Sequence, residues 1–379
     1  PVVHRADMLS LLMNSKKGIA VSGAHGKTTT TSMISLIMEK NGFDPTVIIG
    51  GELNDIGGNA TLGKGEFLVA EADESDGSFM KLNPYVAVIT NIENDHLDYY
   101  KNMENMKEAF RRFVSNVKDG GFIVLGSDNE YVRELARDID KEYYTFGINH
   151  KADFMPKNIK MNGLSSCCDI YFREKYLGQL QLNVPGLHNI VNATAAVAVG
   201  NRLGIGMEGI REAIKGFRGV QRRFQIIGDI DGIKVVDDYG HHPTEIKATL
   251  RAARNCNPRK VYAVFQPHRY TRTQNLSKEF GAAFADADEV ILTDIYSAGE
   301  APIEGVSSKL IEDALRENGK QVVYISKKED IPDYIIDKVL PGDYVFTIGA
   351  GDICEVAYSI VSKLKAGQKG VIGNIPEVN

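Results

Sequence analysis

The stretch Gly23-Ala24-His25-Gly26-Lys27-Thr28-Thr29-Thr30-Thr31 sets a lysine directly after the second of two glycines and four hydroxyls directly after the lysine. A glycine turn that opens a helix aims several backbone N–H groups at one point, where the helix dipole also favours an anion. Lys27 would add a mobile cation for β- and γ-phosphates, and Thr28 a hydroxyl for magnesium, a hard cation that prefers oxygen. Thr29 and Thr30 add hydroxyl donors or simply begin the helix. The common phosphate-loop spacing wants a glycine five positions before Gly26, and Val21 stands there, so this loop starts later and is tighter. A bare Gly-Lys-Thr is more often a turn with an exposed lysine. Here apolar Ile19–Val21 precedes it and a helical pattern from Thr29 to Lys40 follows, with Met33, Ile34, Ile37 and Met38 on one face, and that context favours a phosphate cradle.

A phosphate cradle needs metal ligands from elsewhere. Apolar Phe67–Ala70 runs out into Glu71-Ala72-Asp73-Glu74-Ser75-Asp76, four carboxylates in six residues, one of them expected on magnesium; a solvated acidic loop is the alternative. The next apolar run, Val86 to Thr90, leads into Asn91-Ile92-Glu93-Asn94-Asp95-His96-Leu97-Asp98. Six of the eight histidines (His25, His96, His188, His241, His242 and His268) fall in polar, strand-end or helix-start motifs, a distribution that favours function without assigning roles.

Short apolar runs alternating with helical patterns position these groups, which argues for an α/β fold with a mostly parallel sheet. Thr46–Gly50 and Phe122–Leu125 read as further buried strands, and 152–184 as a small antiparallel excursion because apolar and polar residues alternate there. Helical character returns at Asn189–Leu203 and Glu208–Lys215. After Gly216-Phe217-Arg218-Gly219 a second strand series begins: Lys234–Val236, Val261–Phe265, Val290–Leu292, Val322–Ile325 and Tyr344–Ile348. These strands run out into DDYGHH (237–242), QPHR (266–269), Thr293-Asp294 and GAGD (349–352), and ligands of open parallel sheets bind outside the carboxyl ends of strands.

A length of 379 residues accommodates two domains. A net charge of −6 with no long run of like charge disfavours nucleic acid and anionic membranes as partners. Cys167, Cys168, Cys256 and Cys354 lack metal-ligand spacing and suit a reducing cytoplasm. No apolar run reaches the ~18 residues of a membrane span, and the N-terminal segment lacks the apolar core of a signal peptide.

Taken together, Gly23–Thr31, EADESDGSF (71–79), Thr90–His96, His188-Asn189-Ile190-Val191-Asn192-Ala193, DDYGHHPTE (237–245) and FQPHRYTRT (265–273) resemble the Mur ligases over essentially the whole chain. Their phosphate loop has the short GxxGK[TS] form, so Val21 is normal for the family. The resemblance implies a central phosphate-loop ATPase domain at 17–216 and a C-terminal Rossmann-like, amino-acid-binding domain at 217–379. Residues 1–16 then form the linker and helix leaving a UDP-binding N-terminal domain, which this sequence does not include.

The resemblance also assigns roles. ATP would lie on Gly23, Ala24, His25, Gly26, Lys27, Thr28 and Thr29, with His188 and Asn189 at the adenine and Arg223 and Asp238 reaching phosphates and ribose. Magnesium would be held by Thr28, Glu71 and His96. The amino acid would meet His268, Arg269 and Arg272, since guanidinium groups bind a carboxylate through paired hydrogen bonds, with Tyr239 and His241 near the reacting groups. The implied small-molecule substrates are UDP-N-acetylmuramate and L-alanine, joined through an acyl phosphate as the two domains close. Another amide ligase of the superfamily, acting on murein tripeptide or in the manner of folylpolyglutamate synthases, and a nucleotide-binding module without turnover are the alternatives; a phosphate-loop kinase or motor ATPase fits the short loop poorly.

Overall fold

The computed structural model describes residues 2, 5–53, 58–94 and 96–372, so residues 1, 3 and 4 of the expected leading segment and Asp95 of the Thr90–Asp98 motif lie outside the described residues. The chain divides into two compact units, Pro1–Gln221 and Arg222–Asn379.

The first unit carries ten strands: β1 (Lys17–Ser22), β2 (Thr46–Leu53), β3 (Gly58–Thr61), β4 (Phe67–Glu71), β5 (Val86–Ile89), β6 (Phe122–Gly126), β7 (Tyr143–Phe146), β8 (Phe154–Asn162), β9 (Ser165–Phe172) and β10 (Lys175–Leu182). They form one sheet in the order β10-β9-β8-β7-β6-β5-β1-β4-β2-β3. The pairs from β8 through β7, β6, β5, β1 and β4 to β2 are parallel, while β3 and the β8–β9–β10 excursion pair antiparallel. The parallel strands read as unbroken apolar runs because both faces are covered. Ile19, Val21 and Val69 enter one core and Ala20, Leu68 and Ala70 the other. The chain leaves β1 toward β4 and β2 on one side and returns to β5 on the other, so β1 sits where the strand order reverses, the place where such sheets hold ligands.

The helix Lys27–Lys40 does not present the single apolar face that its pattern suggests. Every residue from Thr29 to Met38 is buried, because the sheet covers one side and the helices Leu187–Arg202 and Met207–Lys215 cover another. Three of its hydroxyls tolerate this by bonding back along the helix, Thr31 Oγ1 to Lys27 O at 2.8 Å, Ser32 Oγ to Thr28 O at 2.7 Å and Ser35 Oγ to Thr31 O at 2.8 Å, while Thr30 Oγ1 is buried with no hydrogen-bond partner among the described residues.

The second unit carries β11 (Gln225–Ile230), β12 (Ile233–Asp238), β13 (Val261–Phe265), β14 (Glu289–Leu292), β15 (Gln321–Tyr324) and β16 (Tyr344–Ile348), ordered β11-β12-β16-β13-β14-β15. Only β11 is antiparallel to its neighbour. β16 enters between β12 and β13, which brings the polar segments after all three strands to one edge of the sheet. Three strands depart from the expected series. β3 is a largely exposed edge, β7 is short, and β11 is half-exposed and interrupted by a register shift between Ile226 and Gly228, so none carries a continuous apolar or cleanly alternating pattern.

Candidate active site

The loop in the first unit takes its shape from Gly26, which caps the helix Lys27–Lys40 in a left-handed conformation (φ 82°) and offers no side chain to the first-turn N–H groups. Those donors are left for an external acceptor. A Cβ on Gly26 would come within 2.5 Å of Asn192 Oδ1, and one on Gly23 (φ 130°) within 2.3 Å of Thr90 Oγ1. Glycine is therefore required at both positions.

The end of β5 clamps the loop from the side. Ala24 N donates to Asn91 O at 3.2 Å and His25 N to Asn91 Oδ1 at 2.9 Å; Asn91 Nδ2 and Thr90 Oγ1 both donate to His25 O, at 3.0 and 2.7 Å. His25 Nε2 lies 3.2 Å from Glu93 Oε2. Asn189 sits in the first turn of Leu187–Arg202, buried, donating to Pro185 O at 2.7 Å and accepting from Asn192 Nδ2 at 3.5 Å. The Asn189–Asn192 pair thus links the expected adenine segment to the floor under Gly26, and His188 precedes Asn189 on that turn.

Lys27 Nζ donates to Gly23 O at 2.6 Å and to Glu74 Oε1 at 2.7 Å. Burial opposes its charge, but the carboxylates of Glu74, Glu71 and Asp73 outweigh burial and raise its pKa above the ordinary lysine value. His96 Nε2 lies 3.8 Å from the same Glu74 oxygen, held there by a left-handed backbone (φ 58°) whose carbonyl accepts Tyr99 N at 3.0 Å and Tyr100 N at 3.1 Å. Glu71 Oε2 accepts Gly50 N at 3.0 Å, and the Thr28 methyl packs over the adjacent Gly51. Lys27 and His96 therefore meet at Glu74, with Glu71 and Thr28 side by side against Gly50-Gly51. Sequence reasoning gives no individual role to Glu74, Asn91, Asn192 or the glycine pair. The spacing Asn189–Asn192, three residues apart on one helix face, is the available signal for Asn192.

In the second unit the expected residues gather at the carboxyl edge of β12, β13 and β16. Asp238 is buried and accepts Phe224 N and Gly240 N, each at 2.8 Å; burial pushes its carboxyl up to about 6 against the pull of Arg223. The guanidinium groups of Arg222 and Arg223 lie 5.0 and 5.3 Å from the Tyr239 ring centre, and Arg223 also donates to Glu245 at 3.2 Å. Arg222 itself ties Asp237, at 2.9 Å, to Gly349 O, at 2.7 Å, joining the ends of β12 and β16.

His241 Nδ1 lies 3.1 Å from Tyr239 O, so Nδ1 carries the proton; burial brings its pKa down to about 3 despite Glu245 at 3.5 Å. His268 is lowered to about 4, by burial and then by Arg272 and Arg269, and its Nδ1 accepts from Arg272 at 3.2 Å. Its ring stacks on Tyr296 at 5.8 Å and lies 5.7 Å from His241. Arg269, at φ 72° ahead of the helix Tyr270–Ala283, has its guanidinium 4.0 Å from Glu300, which also accepts Thr271 N at 3.1 Å and Thr271 Oγ1 at 2.7 Å. Tyr296 and Glu300 do not stand out in the sequence, and Glu245 does so only as the last residue of the motif 237–245. The first two reach the site only because β14 neighbours β13, which no local spacing reveals.

A phosphate loop at the switch point of one parallel sheet, followed by a second α/β unit with a basic edge, defines a nucleotide-using α/β protein of two units. Residues 21–200 match the Mur ligase middle domain and 222–351 the Mur ligase glutamate ligase domain. The UDP-N-acetylmuramate–L-alanine ligase of Pelotomaculum thermopropionicum is 55% identical over 97% of this chain and 80% of that protein, and that of Carboxydothermus hydrogenoformans 49% identical over 96% and 78%. Among solved structures, the UDP-N-acetylmuramate–alanine ligase of Thermotoga maritima superposes with a TM-score of 0.81 at 31% identity, covering 96% of this chain and 78% of that one. The chain belongs to the Mur ligase family.

Proposed function

We propose that the chain joins L-alanine to UDP-N-acetylmuramate with cleavage of ATP to ADP and phosphate, a step of peptidoglycan precursor synthesis. The observation that carries this reading is the 55% identity, across 97% of the chain, to a ligase named for that reaction. A carboxylate is a poor electrophile, and its condensation with an amine in water is uphill, so the carboxyl group must first be activated. The lactyl carboxylate oxygen attacks the γ-phosphorus, ADP departs, and an acyl phosphate remains. The amine of L-alanine then attacks the acyl carbon, phosphate leaves, and the nitrogen loses its proton to solvent.

The loop Gly23–Thr29 binds the triphosphate, with Lys27 neutralising charge that develops on the transferred group. His188 and Asn189 serve the adenine, and Arg223 and Asp238 the phosphates and ribose. Thr28 and Glu71, side by side at Gly50-Gly51, are oxygen donors of the kind a magnesium ion accepts, and His96 would add a nitrogen donor to a second one. When bound, magnesium would neutralise charge on the phosphoryl oxygens. Arg269 and Arg272 receive the amino-acid carboxylate beside His268 and Tyr239. His241 and His268 stay neutral near pH 7 and, with pKa values about 3 and about 4, are too weakly basic for proton transfer there. Their part is to orient donors and acceptors.

The test is phosphate release from ATP in the presence of UDP-N-acetylmuramate, with L-alanine supplied or replaced by L-alanyl-γ-D-glutamyl-meso-diaminopimelate. Release that depends on L-alanine alone is expected. Tripeptide-dependent release would move the chain to the tripeptide-adding branch, and nucleotide binding without release would leave only a binding module.

A further inference from the structure

Glu74 belongs to an acidic loop yet is 2% exposed, far more buried than a solvated carboxylate. Tyr100 fixes it there, its hydroxyl donating to Glu74 O at 2.5 Å. Oε1 takes the Lys27 ammonium at 2.7 Å and faces His96 Nε2 at 3.8 Å, while Oε2 is buried with no hydrogen-bond partner among the described residues. A charge so placed is costly unless paired. Lys27 is drawn back in turn: its three donors are directed to Gly23 O at 2.6 Å, Ala24 O at 3.4 Å and Glu74 Oε1 at 2.7 Å. A phosphate can take the ammonium only by displacing one of these acceptors, and the two carbonyls belong to the loop that must itself stay folded around the phosphate.

We propose that Glu74 is the counter-ion which a nucleotide displaces from Lys27, a positioning residue that holds the lysine in place and sets how tightly the nucleotide binds. The inference rests on the nucleotide-site reading of Gly23–Thr29 and adds a determinant of affinity to it. Part of the attraction between Lys27 and phosphate is consumed in breaking the existing ion pair, so affinity stays below what the loop alone would give.

The experiment is calorimetric titration of the full chain with ADP in excess EDTA, which removes metal from the comparison. Glu74→Gln keeps the shape and removes the charge, and it should bind ADP about tenfold more tightly, equivalent to ~1.4 kcal/mol. A merely structural role would weaken binding, so unchanged or weaker binding in Glu74→Gln overturns the proposal. In a Lys27→Met background the same change should gain less than about threefold. An undiminished gain there would show Glu74 repelling phosphate directly and would overturn its action through Lys27. If Glu74→Gln fails to fold, Glu74→Asp, with the charge kept and the reach shortened, should show a smaller gain, and no gain overturns the idea. Absence of ADP binding in the unaltered chain would instead remove the nucleotide-site reading, and this inference with it.

Discussion

In the proposed function the two units hold an anion in opposite ways. In the first, backbone does the holding: Gly26 leaves a helix end uncapped, and Thr90, Asn91 and Asn192 brace the loop from beside and beneath. In the second, side chains do it: arginines at the end of a sheet, backed by the rings of Tyr239, His241, His268 and Tyr296. A backbone cradle fixes position because its donors belong to the fold, and it suits the phosphate chain of a nucleotide. A cradle of side chains can be tuned one group at a time, which suits the amino acid of the proposed reaction.

The sharpest way to break this comparison is Lys27→Ala, which removes the cationic side chain of the backbone site. L-alanine-dependent phosphate release should fall by on the order of 10³-fold. The melting temperature should fall as well, because Glu74 is left buried and unpaired, and Glu74→Gln in the same chain should restore part of it. Equal loss of melting temperature in single and double variants would deny the ion pair any structural weight.

In the second unit, Arg272→Lys keeps the charge and loses the planar fork. It should lower kcat/KM for L-alanine by about 10- to 100-fold, mostly through KM, and leave KM for ATP in place. A smaller change belongs to Gly26→Ala. The left-handed backbone and the 2.5 Å approach to Asn192 Oδ1 should cost about 1–2 kcal/mol and weaken ADP binding about tenfold, read by calorimetry. Were Gly26→Ala neutral while Arg272→Lys abolished turnover, the division between a backbone site and a side-chain site would fail.

The same difference governs what is legible in the sequence. Gly23, Gly26, Lys27 and Thr28 are contiguous or nearly so, and their chemistry follows from residue type and spacing, so the loop can be recognised from the order of its residues. The carboxyl ends of the second strand series are legible too, since polar residues follow each apolar run. Glu74 stands out only as one of four carboxylates. Its choice over its neighbours depends on Tyr100, 26 residues on, and on the reach of Lys27, 47 residues back. Tyr296 stacks on His268 because β14 lies beside β13, a fact of strand order. The helix Lys27–Lys40 misleads for a related reason: its hydroxyls look like a wet face, and only the bonds of Thr31, Ser32 and Ser35 back along the helix show how those three are buried.

Titration of the second unit gives the most specific effect. His241 and His268 are held neutral, with pKa values about 3 and about 4, against about 6.5 for a free histidine. Their folded pKa values lie below the unfolded value, so the unfolded chain takes up protons first as pH drops, and the stability present above about 6.5 is lost on the way down. Asp238 acts in the other direction. Its folded pKa is raised to about 6, so its contribution is complete below the unfolded value of about 3.8 and disappears as pH rises through about 6. Near pH 7 the histidines act almost alone; by about pH 5 the aspartate offsets roughly one of their two protons. The melting temperature should therefore fall by a few degrees from pH 7 to pH 5, at ~1.4 kcal/mol per proton per pH unit, with the slope levelling off near one net proton below about pH 6. Asp238→Asn should remove the offset and steepen the lower part, and His268→Gln should flatten the whole curve. A melting temperature that rises on acidification would mean that the two rings are charged in the folded chain, and the side-chain site would then have to be redrawn around imidazolium groups.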